Sequence, residues 1–197
     1  MSDKTPVTFQ DFCYLLHPGI TVLVSSQGKD EKKNVLAVSW IMPASVKPPL
    51  VAMMLGRASY SHELIVESEE FVINIPHFDL AQKVLFCGRR SGRTVDKFKE
   101  TGLTLIPAKS VQTPIIKECM AHIECQVEKT LETGHNDLIV GRVVAAYVTK
   151  GLFSNVYNMK NFSPLLHVGR NFFTTTTQEV IEPPIQTTTE LSDREHV

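Results

Sequence analysis

The sequence predicts a mainly β protein, a β-barrel with peripheral helices and α+β at most. Six or seven segments have the apolar and β-branched patterns of strands, whereas only two or three short segments have helical patterns. Turn residues separate the strands at hairpin-like spacing, which predicts antiparallel connections and therefore a barrel. A chain of 197 residues can bury the core of one such domain. We assign residues 1–173 to this domain and residues 174–197 to a polar C-terminal arm.

The strands and helices follow one another with recognisable turn signals. Gly28, in a charged turn, joins the first two strands into an expected hairpin. Asp79, with Gln82 three residues later, has capping-box spacing and predicts the start of the second helix. Gly88 and Gly102 are expected to end the second and third helical segments. The predicted strands are 20–26, 34–45, 50–55, 71–76, 118–130 and 138–150, with extended segments at 103–107 and 164–173, and the helices begin near residues 62, 79 and 96.

The segment 34–45 is the most informative strand, because small side chains adjoin the chain's single tryptophan. Ala37 and Ser39 stand beside Trp40, and Pro43 follows. Small side chains at these positions leave backbone N–H and C=O groups of the strand within reach of a planar ligand. The alternative is an ordinary core strand with a buried tryptophan and locally bonded hydroxyls. The segment alone favours the core strand.

Composition and charge argue against several classes of function. The net charge is −1, whereas nucleic-acid-binding domains carry a basic face. No apolar run approaches the length of a membrane span, and the N-terminus lacks the apolar segment of a signal peptide, so a cytoplasmic protein is expected. The cysteines, Cys13, Cys87, Cys119 and Cys125, lack the close spacing of a metal site, and we expect reduced thiols lying mostly in the core.

Two polar segments could bind an anion. Arg57, Ser59 and Ser61 stand at the expected start of a helix, where hydroxyls, free backbone N–H groups and a cation combine. An ordinary helix cap with a solvated arginine explains the same residues, and the two interpretations are evenly balanced. Residues 89–93 contain three arginines but do not form a Walker A loop, and a solvated basic loop is the favoured interpretation.

The sequence order supports no catalytic dyad or triad. There is no Gly-x-Gly-x-x-Gly motif, so a Rossmann cofactor domain is excluded. No two histidines have helical metal spacing near a carboxylate, and no Ser-His-Asp arrangement can be inferred. His167 is the histidine of most interest, because it lies in an apolar run beside Gly169 and Arg170.

A series of motifs, each weak by itself, extends in a fairly specific order and spacing to about Phe173. Its members are 18–24, 34–40, 48–51, 57–61, 71–76, 88–98, 102–104, 114–119 and 141–144. In this series the chain resembles the flavin reductase-like family, whose members, flavoredoxin among them, bind FMN on a split β-barrel. The resemblance implies an FMN-binding split barrel with six or more antiparallel strands.

The resemblance also implies a homodimer, with one FMN in each barrel near the subunit interface. The isoalloxazine would lie against residues 37–40, and the ribityl phosphate would bind at the helix start near Arg57. The resemblance does not cover residues 174–197, whose polar composition is typical of disorder. An ordered arm needs a surface to lie on, and the partner subunit is the expected one. The implied cofactor-binding residues are Asn34, Ala37, Val38, Ser39, Trp40, Ser45, Arg57, Ser59, Tyr60, Ser61, Asn74, Ser91, Gly92, Arg93, Lys97 and His167, the last facing the flavin from the partner subunit.

The implied function is an oxidoreductase in which NAD(P)H reduces bound FMN, and the flavin passes electrons to free flavin or a protein acceptor. Flavin supplies the redox chemistry, so no side-chain acid or base is required and we name no catalytic residue. The alternative is a flavoredoxin-like electron-transfer protein that takes electrons from a redox partner without NAD(P)H. A more distant alternative is a binding module without redox turnover. The phosphate-sized anion site favours FMN over FAD.

Overall fold

The structure is a computed structural model that describes residues 3–180. Its strands are β1 Gly19–Ile20, β2 Val22–Gln27, β3 Lys33–Val38, β4 Ile41–Ser45, β5 Leu50–Gly56, β6 Glu70–Ile75, β7 Leu105–Ile106, β8 Ile115–Ile116, β9 Ala121–Thr133, β10 Asn136–Val148, β11 Leu166–Gly169 and β12 Phe172–Thr174. Its helices are α1 Tyr60–Ser68, α2 Ala81–Arg89 and α3 Lys97–Thr101, with 3-10 turns at Phe12–Leu16 and Phe78–Leu80. The prediction of a mainly β protein with short helices is confirmed.

Seven strands form one antiparallel sheet in the order β3-β2-β6-β9-β10-β5-β4. Its centre is the β9–β10 hairpin, in which each strand has 13 residues. The two edge strands, β3 and β4, are consecutive in the sequence, so the sheet has to curl until its edges approach each other. A second sheet contains β1, β11 and β12. The architecture is the split barrel that the resemblance implied.

The segment 34–45 is not one strand, and its tryptophan is not buried. β3 pairs with β2 and ends at Val38, whereas β4 pairs with β5 and begins at Ile41. Ser39 and Trp40 carry the chain from one edge of the sheet to the other, and Trp40 is 43% exposed. The expected core strand with a buried tryptophan is wrong, because the two halves of the segment pair with different neighbours.

Two apolar clusters lie on opposite faces of the sheet. The larger contains Val24 and Ile73 and fills the barrel interior. The other contains Leu23 and Val35 and packs against Val84 of α2. Side chains alternate between the faces of a strand, so β2 contributes to both clusters. Helix α2 therefore covers the outer face of β2 and β3, and its C-terminal end lies beside the small residues of β3.

The cysteines agree with the sequence expectation. All four are free, and Cys87, Cys119 and Cys125 are buried. Burial raises the pKa of the Cys87 thiol to about 11 and that of the Cys125 thiol to about 12. These thiols are therefore protonated at neutral pH and pack as small apolar groups.

Helix α2 begins later than its sequence signal suggested. Asp79, the expected cap, lies inside a 3-10 turn, and the side chain of His77 accepts the hydrogen bond from Asp79 N at 3.4 Å. The predicted capping box is therefore wrong, and α2 ends one residue beyond Gly88. Helix α3 follows its signals: Asp96 Oδ1 accepts hydrogen bonds from two N–H groups of the first turn, and Gly102 ends the helix with a φ of 64°.

The last strand of the second sheet reaches the first residue of the C-terminal arm. Strand β12 ends at Thr174, and the expected packing of the arm on a partner subunit falls largely on residues 181–197, which lie outside the described residues. Between residues 3 and 180, no helix combines the length and the apolar character that a membrane crossing requires.

A buried polar network joins β6, β8, β9 and β10. Asn74 is fully buried, and its Oδ1 accepts hydrogen bonds from Ile116 N at 2.8 Å and His122 Nδ1 at 2.9 Å. Glu124, also fully buried, accepts hydrogen bonds from the Tyr147 hydroxyl at 2.7 Å and from two backbone N–H groups. Since its hydrogen bonds are made within the core, Asn74 supports the barrel, and it lines none of the cavities described below, although it was expected among the cofactor-binding residues.

The free energy of unfolding should fall as the pH is lowered from about 6.5 to about 4. Burial lowers the pKa of His122 from 6.5 to about 4, with Glu124 partly opposing the shift. In this window the unfolded chain binds a proton that the folded protein does not, so acid favours unfolding by up to about 1.4 kcal/mol per pH unit. Denaturant unfolding of wild type and His122→Gln measures the slope. The variant should have the shallower dependence, and equal slopes would contradict the assignment.

Gly141 of β10 occupies a position where no side chain fits. An added Cβ would lie 2.8 Å from Phe71 Cε1 and 3.1 Å from Cys125 Cβ, both in the buried core. Gly141→Ala should destabilise the fold by about 1–3 kcal/mol, the usual cost of overpacking, and lower Tm by about 2–10 °C. Gly56→Ala is the matched control, since its Cβ would meet Asn136 Oδ1 at an ordinary 3.5 Å. Equal Tm values for both variants in thermal melts would refute this account.

Candidate functional site

Two adjoining cavities lie where the end of α2 meets β3. The serine cavity, of about 270 Å³, is lined by Asn34, Leu36, Ala58, Ser59, Tyr60, Ser61, Gly88, Arg89, Arg90, Ser91, Gly92 and Lys97. The wall cavity, of about 250 Å³, is lined by Tyr14, Thr21, Ala37, Ser39, Val84, Leu85, Gly88, Arg89, His167, Arg170 and Phe173. Because they share Gly88 and Arg89, the two cavities form one elongated site.

Hydroxyl groups and the first turn of α1 line one end of the serine cavity. Ser59 has extended backbone, and its Oγ accepts a hydrogen bond from His62 N at 3.2 Å, which makes it the N-cap of α1. Ser61 is fully buried, and its Oγ accepts a hydrogen bond from Asn34 Nδ2 at 3.0 Å. Since helix N-termini carry partial positive charge, this end of the cavity suits an anion.

A buried amine contributes a full positive charge to the serine cavity. Lys97 is 2% exposed, and its Nζ donates hydrogen bonds to the Val35 carbonyl at 2.7 Å and the Cys87 carbonyl at 2.8 Å. Burial lowers the pKa of Lys97 to about 8, so the amine is mostly charged at neutral pH. Within residues 3–180, no carboxylate forms an ion pair with it. An anionic ligand would therefore supply the opposite charge that Lys97 lacks.

Gly92 closes the serine cavity at the loop after α2. An added Cβ on Gly92 would lie 2.6 Å from Asn34 Cγ, so the loop backbone packs directly against the Asn34 side chain. Arg93, the next residue, is not among the lining residues. Its guanidinium pairs with Glu63 at 2.8 Å and lies over the Tyr60 ring, 4.9 Å from the centroid. The loop therefore brings backbone, not the Arg93 charge, to the cavity.

The wall cavity has one side made of small residues. Ala37 of β3 faces Gly88 of α2, where an added Cβ would lie only 3.2 Å from Ala37 Cβ. The hydroxyls of Thr21 and Ser39 are hydrogen-bonded at 3.0 Å. His167 lines the same cavity from the second sheet. A slot with small side chains and a few fixed polar groups suits a planar ligand.

Arg89 lies at the junction of the two cavities. Its Nη2 donates a hydrogen bond to the Arg170 carbonyl at 2.8 Å, and His167 Nε2 lies 3.1 Å from the same oxygen. These contacts fasten the β11–β12 turn to the end of α2. Arg89 has no carboxylate within ion-pair distance in the part of the chain that the structure describes, so its charge is available to a ligand.

Most of the residues predicted from the sequence converge on this site. The two cavities are lined by Asn34, Ala37, Ser39, Ser59, Tyr60, Ser61, Ser91, Gly92, Lys97 and His167. These residues come from β3 and the residue after it, the cap and first turn of α1, the loop after α2, α3 and β11, and only the fold brings them together. His167 was expected to reach the flavin from the partner subunit, but it lines the wall cavity of its own chain.

Arg57 does not line the serine cavity, although the sequence grouped it with the residues expected to bind the phosphate. Its guanidinium forms an ion pair with Glu132 at 2.6 Å and donates to the Gly134 carbonyl in the β9–β10 turn. Residues at the tip of the β9–β10 hairpin therefore pair with the Arg57 guanidinium, which the sequence analysis assigned to an anionic ligand. Ser59 and Ser61 line the serine cavity, so the helix start combines a cap with a cavity that Arg57 does not line.

Five further predicted residues lie outside the two cavities. They are Val38, Trp40, Ser45, Asn74 and Arg93. Val38 is buried in the barrel interior because strand side chains alternate and Ala37 takes the opposite face. Ser45 ends the edge strand β4, on the other side of the split. Asn74 and Arg93 are engaged as described above, and Trp40 lines a third cavity.

The third, apolar cavity has a volume of about 500 Å³ and adjoins the wall cavity at Ser39. It is lined by Phe12, Cys13, Leu16, His17, Gly19, Ile20, Ser39, Trp40, Ile41, Met42, Ala52, Met53, Met54 and Leu138. The sequence analysis did not anticipate it, because its walls come from four segments that have no common motif.

Sequence reasoning also missed Thr21, Arg89 and Arg170 as site residues. The resemblance placed the loop 89–93 in the site through Ser91, Gly92 and Arg93 but did not name Arg89, and Gly88 was considered only as a helix end. A glycine ending a helix, followed by arginines without nearby acidic residues, was the available signal. Thr21 and Arg170 gave no signal, since their positions depend on the pairing of the second sheet.

The fold and these cavities define a split-barrel protein with a slot lined by small residues and an adjoining pocket that contains a buried lysine. A sequence model of the flavin reductase like domain matches residues 15–176. The chain belongs to this family. An uncharacterized protein of Archaeoglobus fulgidus is 38% identical over 171 residues, which cover 85% of this chain and 94% of that protein.

Solved structures agree with the fold. Flavoredoxin from Methanosarcina acetivorans is 27% identical with a TM-score of 0.80, and the match covers 95% of this chain and 98% of that one. An FMN-binding protein from Thermus thermophilus with bound p-hydroxybenzaldehyde has a TM-score of 0.81 at 24% identity, over 93% of this chain and 99% of that one. At that identity the second similarity shows the fold alone. Membership of this family supports a flavin-related oxidoreductase.

Proposed function

We propose that the protein binds FMN across the serine and wall cavities and acts as an NAD(P)H-dependent, flavin reductase-type oxidoreductase. Its electrons would go to free flavin or to a protein acceptor. The observation that carries the proposal is the continuity of the two cavities, with a cationic pocket at one end and a slot of small side chains at the other. FMN has the matching form, since a ribityl chain joins its phosphate to a flat three-ring system.

The residues present fit this cofactor. The phosphate would bind at Ser59 and Ser61, with the buried charge of Lys97 as its counter-ion. The ring would lie against Ala37 and Ser39, where the close approach of α2 leaves room for a flat group. A phosphate-sized pocket at the end of the site favours FMN over FAD.

When bound, flavin supplies the hydride and electron transfer chemistry. The side chains of this chain bind, orient and shield it. The positive charges of Arg89 and Lys97 favour an increase of negative charge in the site, which is the change that accompanies flavin reduction. The Thr21–Ser39 hydroxyl pair offers a fixed polar contact at the ring end. None of these roles needs a side chain that gains or loses a proton.

A flavoredoxin-like electron-transfer protein is the second candidate. The similarity to flavoredoxin from Methanosarcina acetivorans, at 27% identity over nearly the whole chain, favours it. In this case a redox partner protein, and not NAD(P)H, would reduce the bound flavin.

Anaerobic mixing with NADH and with NADPH separates the two candidates. Loss of the oxidised-flavin absorbance within seconds supports the reductase. A flavin that neither nucleotide reduces, but that dithionite reduces and a redox protein reoxidises, supports the electron carrier. A purified protein that is colourless and does not bind added FMN contradicts both.

We also propose a homodimer, with the C-terminal arm packed on the partner subunit. Large apolar side chains that water would otherwise surround support this, among them Phe9, Val46 and Phe172, which are 95%, 74% and 69% exposed. Sedimentation velocity should give the mass of two chains. A monomer whose arm is cut rapidly by protease would contradict both statements.

Gly92→Ala should weaken FMN binding by about 2- to 10-fold, the equivalent of one hydrogen bond. The new Cβ displaces the Asn34 side chain and breaks its bond to Ser61. FMN titration followed by fluorescence measures the change. The control is a double-mutant cycle with Asn34→Ala, in which Gly92→Ala should cost little because nothing remains to be displaced. If Gly92→Ala weakened FMN binding as much in the Asn34→Ala background as in wild type, the effect would not act through the Asn34 side chain.

A further inference from the structure

The first turn of α1 is held by contacts to two strands that are not neighbours in the sheet. Ser61 Oγ accepts a hydrogen bond from Asn34 Nδ2 of β3 at 3.0 Å. The next residue, His62, places its ring Nε2 2.7 Å from Oδ2 of Asp137 in β10. Strands β3 and β10 are separated by β2, β6 and β9. The helix start therefore bridges two distant parts of the barrel.

The contact between His62 and Asp137 is largely shielded from water. The two side chains are 14% and 11% exposed. A carboxylate only accepts hydrogen bonds, so Nε2 of the imidazole carries the hydrogen and donates it. A shielded hydrogen bond to a carboxylate is stronger than an exposed one and fixes direction as well as distance. This contact is therefore a defined link between α1 and β10, unlike an exposed ion pair.

Stability alone does not account for a carboxylate at position 137. Asp137 Oδ1 is buried and has no hydrogen-bond partner among residues 3–180. Arg57 Nε lies 3.9 Å from it, but the Arg57 guanidinium already pairs with Glu132. A buried carboxylate oxygen without a hydrogen bond costs free energy, and a well-packed apolar pair often stabilises a fold as much as a buried polar one. The benefit of the pair must therefore lie in what it holds, which is the start of α1.

His62 connects this link to the serine cavity. Its backbone N–H donates the hydrogen bond that Ser59 Oγ accepts at 3.2 Å, while its ring is held by Asp137. Ser59, Tyr60 and Ser61 line the serine cavity, whereas His62 and Asp137 lie outside all three cavities. A shift of His62 would move the cap and reorient the hydroxyl and N–H groups that face the cavity. The pair can therefore affect a bound anion only through the helix start.

We propose that His62 and Asp137 are positioning residues for the flavin phosphate, because together they hold the first turn of α1 in the orientation that the phosphate requires. The inference rests on the proposed function, since it uses the phosphate position. Loss of the link should weaken FMN binding more than the binding of riboflavin, which lacks the phosphate. A merely structural role would lower Tm and leave the ratio of the two affinities unchanged.

The experiment titrates His62→Ala, Asp137→Ala and the double variant with FMN and with riboflavin. Each single variant should bind FMN about 3- to 10-fold more weakly than wild type, the equivalent of one hydrogen bond, and should bind riboflavin nearly as wild type does. The double variant should lose no more than either single variant, because all three lack the same contact. An equal loss for both flavins, or losses that add in the double variant, would overturn the proposal.

Two further variants test the hydrogen bond itself. His62→Gln restores a donor near the place of Nε2, so it should recover most of the FMN affinity that His62→Ala loses. Arg142→Ala is the matched control, since it breaks an ion pair with Glu128 on the same strand, 2.7 Å long, and Arg142 lies outside the three cavities. Its FMN affinity should be that of wild type. A loss in Arg142→Ala as large as in Asp137→Ala, or no recovery in His62→Gln, would refute the assignment.

Hydrogen exchange in the flavin-free protein tests the link without any ligand. The amide of His62, bonded to Ser59 Oγ, should exchange faster in Asp137→Ala than in wild type, because the helix start is no longer held. Unchanged exchange would overturn the proposal. Wild-type protein that binds neither flavin contradicts the proposed function. Wild-type protein that binds FMN, with variants that keep its preference over riboflavin, overturns this inference alone.

Discussion

Replacing Ala37 by leucine is expected to weaken FMN binding by about 100-fold, toward the upper end of the 1–3 kcal/mol that overpacking costs. The end of α2 already touches this residue, since a Cβ on Gly88 would lie 3.2 Å from Ala37 Cβ. A longer side chain can extend only into the wall cavity, where the flavin ring is proposed to lie. FMN titration gives the Kd, and a circular-dichroism melt shows whether the barrel is still folded.

Ala44→Leu is the matched control for this change. Ala44 is an exposed residue of β4 and lies outside all three cavities, so FMN affinity should remain that of wild type. If Ala37→Leu bound FMN with the wild-type Kd, the flavin ring would not lie against β3. An affinity loss shared by the two variants would indicate a general disturbance of the sheet edges.

Lys97→Met should weaken FMN binding by about 10- to 150-fold, which corresponds to the 1.5–3 kcal/mol of a charged hydrogen bond. Lys97 is buried, has backbone carbonyls as its partners and lines the serine cavity. Riboflavin, which lacks the phosphate, should bind the variant and wild type with more nearly equal affinity. Parallel titrations with both flavins measure the difference, and an equal loss for riboflavin would show that Lys97 does not contact the phosphate end.

The pH dependence of FMN affinity provides an independent check of Lys97. Burial lowers the pKa of this amine to about 8, so wild-type affinity should fall as the pH rises through that value and the positive charge is lost. Lys97→Met should show a flatter profile over the same range. Lys99→Met, an exposed lysine of the same helix, should keep both the affinity and the pH profile of wild type.

Local patterns predicted the strands because each carries its own signal. The β-branched residues of β2 and the long alternation of β9 and β10 have strand periodicity without reference to the rest of the chain. The motif series also predicted ten residues that line the site. Such positions can be found from the sequence because a helix cap such as Ser59, or a glycine needed for close approach such as Gly92, depends on its immediate neighbours.

The errors have a common cause in long-range pairing. Trp40 was expected in the core, but the strand divides there because its halves pair with β2 and β5. Arg57 was assigned to an anion, but Glu132, far along the chain, comes close enough to pair with it. Asn74 was grouped with the cofactor site, although β8 and β9 supply its hydrogen-bond partners. None of these partners can be identified from the residues that surround each position in the sequence.

For this protein, short-range information was sufficient to specify a β-rich barrel, its family and the residue types of a site for a planar, phosphate-bearing ligand. Folding alone determined the shape of that site. The approach of α2 to β3, the burial of Lys97 without a carboxylate partner among residues 3–180, and the apolar cavity beside Ser39 all arise where distant segments meet. Charge pairing and cavity shape depend on distances between atoms of different elements, and a linear chain does not contain those distances.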